Sequence, residues 1–107
     1  MEAALRAIAE PRRREILRLV SADERSAGDI AAHFDVTRSA ISQHLKVLRE
    51  ADLVTERRDG TRRLYRARRE GLDDLRTFLD AFWTDRLGDL KRAAEAEQRR
   101  KHGRTHR

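Results

Sequence analysis

The sequence predicts a mainly helical α+β fold in the order α-α-α-α-β-β-α, and three features carry that expectation. Apolar residues recur at helical spacing in several segments. Two polar helix starts, Ser26 and Thr37, open helices joined by only a short turn. A single Asp59-Gly60 pair separates two runs able to form β-strands. The chain has 107 residues, a length that suits one domain.

The first helical pattern covers residues 3–8 and includes Leu5 and Ile8. Pro11, the sole proline, suits the first position of a second helix, where its missing N–H is no loss. Ile16, Leu17, Leu19 and Val20 then form an apolar stripe, so residues 11–20 read as helix and 21–25 as a polar loop. Ser26, with Asp29 three residues on, caps a helix of about two turns through Ile30 and Phe34. Asp35-Val36 breaks it, and Thr37 caps a longer helix running to about Ala51. Two helices joined this way make a helix-turn-helix unit. Residues 53–58 and 61–67 flank Asp59-Gly60, whose turn requires positive φ, and so form a hairpin. A last helix runs from Leu72 to about Glu97. Residues 99–107 lack apolar periodicity and are expected to be a disordered basic tail, leaving 1–98 as the folded domain.

The net charge of +6 is unevenly placed: residues 37–69 carry +6, residues 99–107 carry +5, and the remainder is acidic on balance. A basic block over a helix and a hairpin makes nucleic acid the leading partner. Of the basic residues 22 are Arg, but Arg12 to Arg14 lie outside that block, so genome composition is the simpler reason for most of them. The absence of Cys excludes a disulfide framework, a thiolate metal site and a Cys nucleophile. No stretch reaches the ~20 apolar residues of a membrane span, and no signal-peptide apolar region is present, so a cytoplasmic protein with no membrane contact is expected. No Gly-rich phosphate loop and no Ser/His/Asp arrangement is found, which argues against an enzyme.

On a helical wheel, residues 37–51 separate into two sides. Ala40, Ile41, His44, Leu45, Val47 and Leu48 form a core stripe, while Arg38, Ser39, Ser42, Gln43, Lys46 and Arg49 face away. The polar side is short near its start, carries an amide in the middle and is cationic at both ends. Small hydroxyls allow a helix to approach base edges, Gln can pair an adenine edge, and Arg reaches guanine or phosphate.

The run from Asp35 to Val54, Asp-Val-Thr-Arg-Ser-Ala-Ile-Ser-Gln-His-Leu-Lys-Val-Leu-Arg-Glu-Ala-Asp-Leu-Val, resembles the signature of the ArsR/SmtB-type winged helix-turn-helix repressors. Ala9 to Val20 and the hairpin Arg57 to Arg66 resemble the same family, so the likeness spans about residues 3–98. It implies a homodimeric repressor bound to a palindromic, inverted-repeat operator in double-stranded DNA, with a recognition helix at 37–51 and a wing at 54–67. The residues implied to meet DNA are Thr37, Arg38, Ser39, Ser42, Gln43 and Lys46 on the helix, and Arg57, Arg58, Thr61, Arg62 and Arg63 on the wing.

Members of that family that sense metals use Cys in the helix before the turn, or His and acids in the last helix. Here the pre-turn segment 28–34 has no thiol and helix 72–97 has no His, so no metal and no other cofactor is expected. His102 and His106 are an incidental pair in the tail, and His33 is a helix-end residue. His44 lies beside the core stripe, open to packing or to a phosphate contact. The pattern from Phe78 to Leu90 resembles the non-metal, autorepressor-like subgroup. Apolar residues Leu75, Phe78, Leu79, Phe82, Trp83, Leu87 and Leu90 make a band wider than one groove needs, which reads as a dimer interface, and the resemblance implies that Leu5 and Ile8 join it. Two other readings stay open: a metal-sensing repressor with a non-thiolate site, and a winged helix used for protein or unspecific DNA binding.

Overall fold

The computed structural model describes residues 1–105, and its description of side chains covers residues 1–83, 88 and 92–97. The elements are α1 (Glu2–Ala9), α2 (Pro11–Ala22), β1 (Arg25–Ser26), α3 (Ala27–Ala31), α4 (Arg38–Glu50), β2 (Val54–Asp59), β3 (Arg62–Ala67) and α5 (Arg69–Thr105). The chain divides into two units, residues 1–75 and residues 76–107, with the boundary inside α5.

The expected order holds with one addition. Residues 21–25, read as a loop, instead extend α2 to Ala22 and begin β1, which pairs antiparallel with β3 through Arg25–Tyr65 and Ser26–Leu64. The hairpin thereby becomes a three-stranded sheet in the order β1-β3-β2. A two-residue strand carries no alternation, so nothing in the local sequence announces it. Two further boundaries move. α3 ends at Ala31, before Phe34, and α5 begins at Arg69 and continues to Thr105, through most of the segment expected to be a disordered tail. Ala93-Ala94-Glu95-Ala96-Glu97 are strong helix formers with no proline behind them, so the backbone has no reason to stop at 97. His106 and Arg107 lie outside the described residues.

Local chemistry fixes each helix of the first unit. Glu10 caps α2 by accepting from the Arg13 N–H at 3.0 Å, with Pro11 at the first helical position. Ser26 Oγ accepts from the Asp29 N–H at 3.1 Å and so caps α3. Thr37 Oγ1 accepts from the Ala40 N–H, also at 3.1 Å, and caps α4. Arg13 and Arg14 prove to be more than compositional. Arg13 Nε donates to the Ala7 carbonyl at 2.6 Å and Arg14 Nη1 to the Ile8 carbonyl at 2.7 Å, so they satisfy the open end of α1. Arg12 lies over the Phe34 ring, 4.7 Å from its centroid.

α4 ends in a Schellman turn. The Leu53 N–H reaches back to the Leu48 carbonyl and the Asp52 N–H to the Arg49 carbonyl, at 2.9 and 3.0 Å. Asp52 occupies the left-handed position with φ of 60°. Ile41, Leu45 and Leu48 line the inner side of α4 and are fully buried beside Ile16, Val20, Ile30 and Leu53. Each such side chain stabilises the unit by about 1.5–3 kcal/mol. This core sets the angle at which α4 turns its polar side outward.

Candidate nucleic-acid interface

All six residues expected to read DNA from α4 are exposed: Thr37 at the cap, then Arg38, Ser39, Ser42, Gln43 and Lys46. Thr37 has a second duty, because its oxygen already accepts the capping bond; its O–H remains able to donate. The structure brings only part of the set against the wing. A groove of about 610 Å³ opens between α4 and the hairpin, with Arg38, Ser42 and Lys46 on one wall and Thr61, Arg62 and Arg63 on the other. Ser39 and Gln43 lie on the exposed side of α4 outside that groove, and Arg57 and Arg58 lie on β2, also outside it.

Gly60 supplies the positive φ of the hairpin turn, at 64°, as the Asp-Gly pair implied. The register pairs Arg58 with Arg63 and Asp59 with Arg62, which keeps four charged side chains at the tip. Carboxylates hold Arg57, Arg62 and Arg63 of the wing, two of them from outside it. Arg57 makes a two-pronged bond to Glu24, at 2.8 and 2.7 Å. Arg62 Nη2 lies 3.4 Å from Asp29 Oδ2 on α3. Glu56 is shared by Arg63, at 3.5 Å, and by Arg49 of α4. Arg38, Lys46 and Arg58 have no carboxylate partner among the described residues.

The Arg57 hydrogen bond holds the Glu24 carboxyl below the ordinary carboxylate range. Partial burial opposes that shift, and the positive charges of Arg57 and Arg66 add to it. Burial pushes the Tyr65 phenol up, helped by the neighbouring Glu56 charge. His44 is half-buried, its Nδ1 3.5 Å from an Arg13 guanidinium nitrogen, so it serves packing between α2 and α4. His33 Nδ1 lies 2.9 Å from the Asp29 carbonyl oxygen, the helix-end position expected of it. Reading along the sequence missed Glu24, Asp29 and Glu56 as members of this surface. They lie far from the basic block in sequence or on the opposite strand, and only the β1–β3 pairing brings the first two near the wing.

The expected dimer residues fall into distinct environments. Leu5 and Ile8 are half-buried on α1, and Leu75 is buried in the core of its own unit. On α5, Phe78 and Phe82 pack edge to face with centroids 5.2 Å apart, while Leu79, Phe82 and Trp83 are exposed. The side chains of Leu87 and Leu90 lie outside the described residues.

Residues 10–56, from the cap of α2 to the middle of β2, match the model of the bacterial regulatory protein, arsR family. The chain is also 42% identical over 94 residues to the HTH-type transcriptional regulator Rv2034 of Mycobacterium tuberculosis, an alignment that covers 88% of each protein. The chain belongs to the ArsR family. As in other ArsR proteins, its fold is a winged helix-turn-helix, and it is a transcriptional regulator rather than an enzyme. A crystal structure described as a possible transcriptional regulator for arsenical resistance is 49% identical to it, with a TM-score of 0.73, covering 81% of this chain and 91% of that one. The homodimeric winged helix-turn-helix DNA-binding domain Mb0332 of Mycobacterium bovis, a possible ArsR-family regulator, is 30% identical with a TM-score of 0.64, covering 80% of both. Among the described residues, no helix is long and apolar enough to cross a membrane.

Proposed function

We propose that this ArsR-family chain is a homodimeric repressor that acts in the cytoplasm, binds a palindromic operator in double-stranded DNA and blocks access of polymerase, without a metal. The observation that carries this reading is the groove in which Arg38, Ser42 and Lys46 of α4 face Thr61, Arg62 and Arg63 of the wing. Two walls rich in cations and hydroxyls, one on a helix and one on a hairpin tip, suit a DNA edge whose phosphates lie between major and minor groove. Ser39, Ser42 and Gln43 then meet base edges, and Thr37, Arg38, Lys46, Arg57, Arg58, Arg62 and Arg63 fix register on the backbone. The dimer uses Leu5 and Ile8 of α1 and, on α5, Phe78, Leu79, Phe82, Trp83, Leu87 and Leu90, while Leu75, expected in the same seam, is already buried in the core of its own unit. Two-fold symmetry spaces the recognition helices by one DNA turn, ~34 Å.

Footprinting across the genome, followed by binding assays on the sites recovered, tests this. The sites are expected to be inverted repeats and to be silenced in a purified transcription system. Saturating zinc should leave the affinity unchanged. Gln43→Ala should weaken operator binding by about 1–3 kcal/mol and relax one base position per half-site. An equal loss on operator and random DNA would remove Gln43 from base reading.

A further inference from the structure

We propose that Asp29 is a counter-anion for the wing: it holds the Arg62 guanidinium and thereby lowers the number of cations the protein offers to DNA phosphates. The inference rests on the DNA-binding reading above and names a residue outside the recognition helix and wing that sets affinity.

The geometry is specific. Arg62 Nη2 stands 3.4 Å from Asp29 Oδ2, joining β3 to α3 beside the groove that Gly28 and Arg62 both line. The main chain under Asp29 is fixed from both directions. Its N–H is bonded to Ser26 Oγ and its carbonyl oxygen is 2.9 Å from His33 Nδ1. The carboxylate is therefore presented from a set position on a capped helix. Both side chains are more than half exposed, at 58% and 55%. An exposed pair of this kind contributes little stability, so its structural role is slight and a phosphate can displace it. The pattern is repeated by Glu24 on Arg57 and by Glu56 on Arg63.

The consequence for binding is quantitative. An arginine that meets a phosphate in place of its counterions steepens the salt dependence by about 0.9 in log K per log salt. When Asp29 stays nearby, its charge repels the phosphate and offsets that gain. Asn in its place keeps the size and an acceptor oxygen but removes the charge. Carried from 1 M down to 0.15 M salt, one recovered contact corresponds to about fivefold in affinity.

The test is duplex binding by the full chain, on random and on operator DNA, at several salt concentrations. Asp29→Asn is expected to tighten both about fivefold at 0.15 M salt and to steepen the salt slope by about one unit, leaving their ratio unchanged. Asp29→Ala should move the same way, and thermal unfolding verifies that each variant is folded. In an Arg62→Ala background, Asp29→Asn should have no effect on the slope. Unchanged or weaker binding by Asp29→Asn overturns the proposal. So does an undiminished gain in the Arg62→Ala background, which would assign Asp29 only a general repulsion of DNA. A wild-type chain that fails to bind duplex with any salt dependence would instead reject the DNA-binding reading itself.

Discussion

At Gly71 the start of α5 meets the turn that ends α4 so closely that no side chain fits. A Cβ built there would stand 2.0 Å from the Asp52 carbonyl oxygen and 3.0 Å from its carbonyl carbon. Both atoms belong to backbone, in a turn held by two hydrogen bonds, so neither can yield cheaply. Elsewhere in a helix Gly→Ala gains about 0.5–1 kcal/mol by relieving the entropy cost of glycine. At Gly71 overpacking reverses the sign, and Gly71→Ala should lose about 3 kcal/mol. Gly88 is the control, because among the described residues its nearest contact is a flexible Arg92 nitrogen at 3.7 Å and Gly88→Ala should stabilise. Thermal unfolding of the two variants checks the opposed signs. A second residue-level expectation concerns Glu24. Its folded-state pKa is depressed, so the Arg57–Glu24 bond is intact above the ordinary carboxylate value of about 4.3 and is lost as pH falls through the lower folded value. An NMR titration should place the Glu24 midpoint below that of a free glutamate, and Arg57→Ala should return it towards the ordinary value.

At the scale of elements, helix ends decide where the reading surface begins. The Thr37 hydroxyl satisfies the Ala40 N–H at the start of α4, and Thr37→Ala should cost about 1 kcal/mol of stability while Thr37→Ser retains most of it. Urea unfolding measures the difference, and equal stability of all three proteins would remove the cap from the account. This cap was legible in the sequence, as were the stripe Ile41-Leu45-Leu48, the Ser26 cap and the Asp59-Gly60 turn, because each is written in residues a few positions apart. β1 was not legible, since two residues form a strand only when β3 supplies the partner groups. The Schellman turn was hidden for a different reason: Asp52 takes the left-handed position that a glycine usually marks. The six exposed residues of α4 followed from the helical wheel, but Glu24 and Asp29 reach their wing arginines through contacts between residues 33 apart in the chain. Periodicity along one segment says nothing about such pairs.

At the scale of the whole molecule, the proposed dimer interface rests on the exposed aromatics of α5. Phe82 is 60% exposed and Trp83 61%, on a helix where Leu79 is also uncovered. Adjacent aromatic side chains left in water are characteristic of the centre of a protein interface rather than of a free surface. A palindromic operator requires two recognition helices, so loss of the dimer should appear as loss of DNA affinity even when both α4 surfaces are intact. Trp83→Ala removes the largest of these side chains. If Trp83 is a central contact, truncation should weaken the dimer by at least 2 kcal/mol, or about 30-fold in its dissociation constant. Sedimentation across a concentration series should then show monomer where the wild type is dimeric. Operator binding by Trp83→Ala should become steeper in protein concentration, and its affinity should recover when two chains are covalently tethered. A dimer of unchanged strength would remove Trp83 from the interface, and a tethered pair that still failed to bind would place the defect in the DNA-reading surface instead.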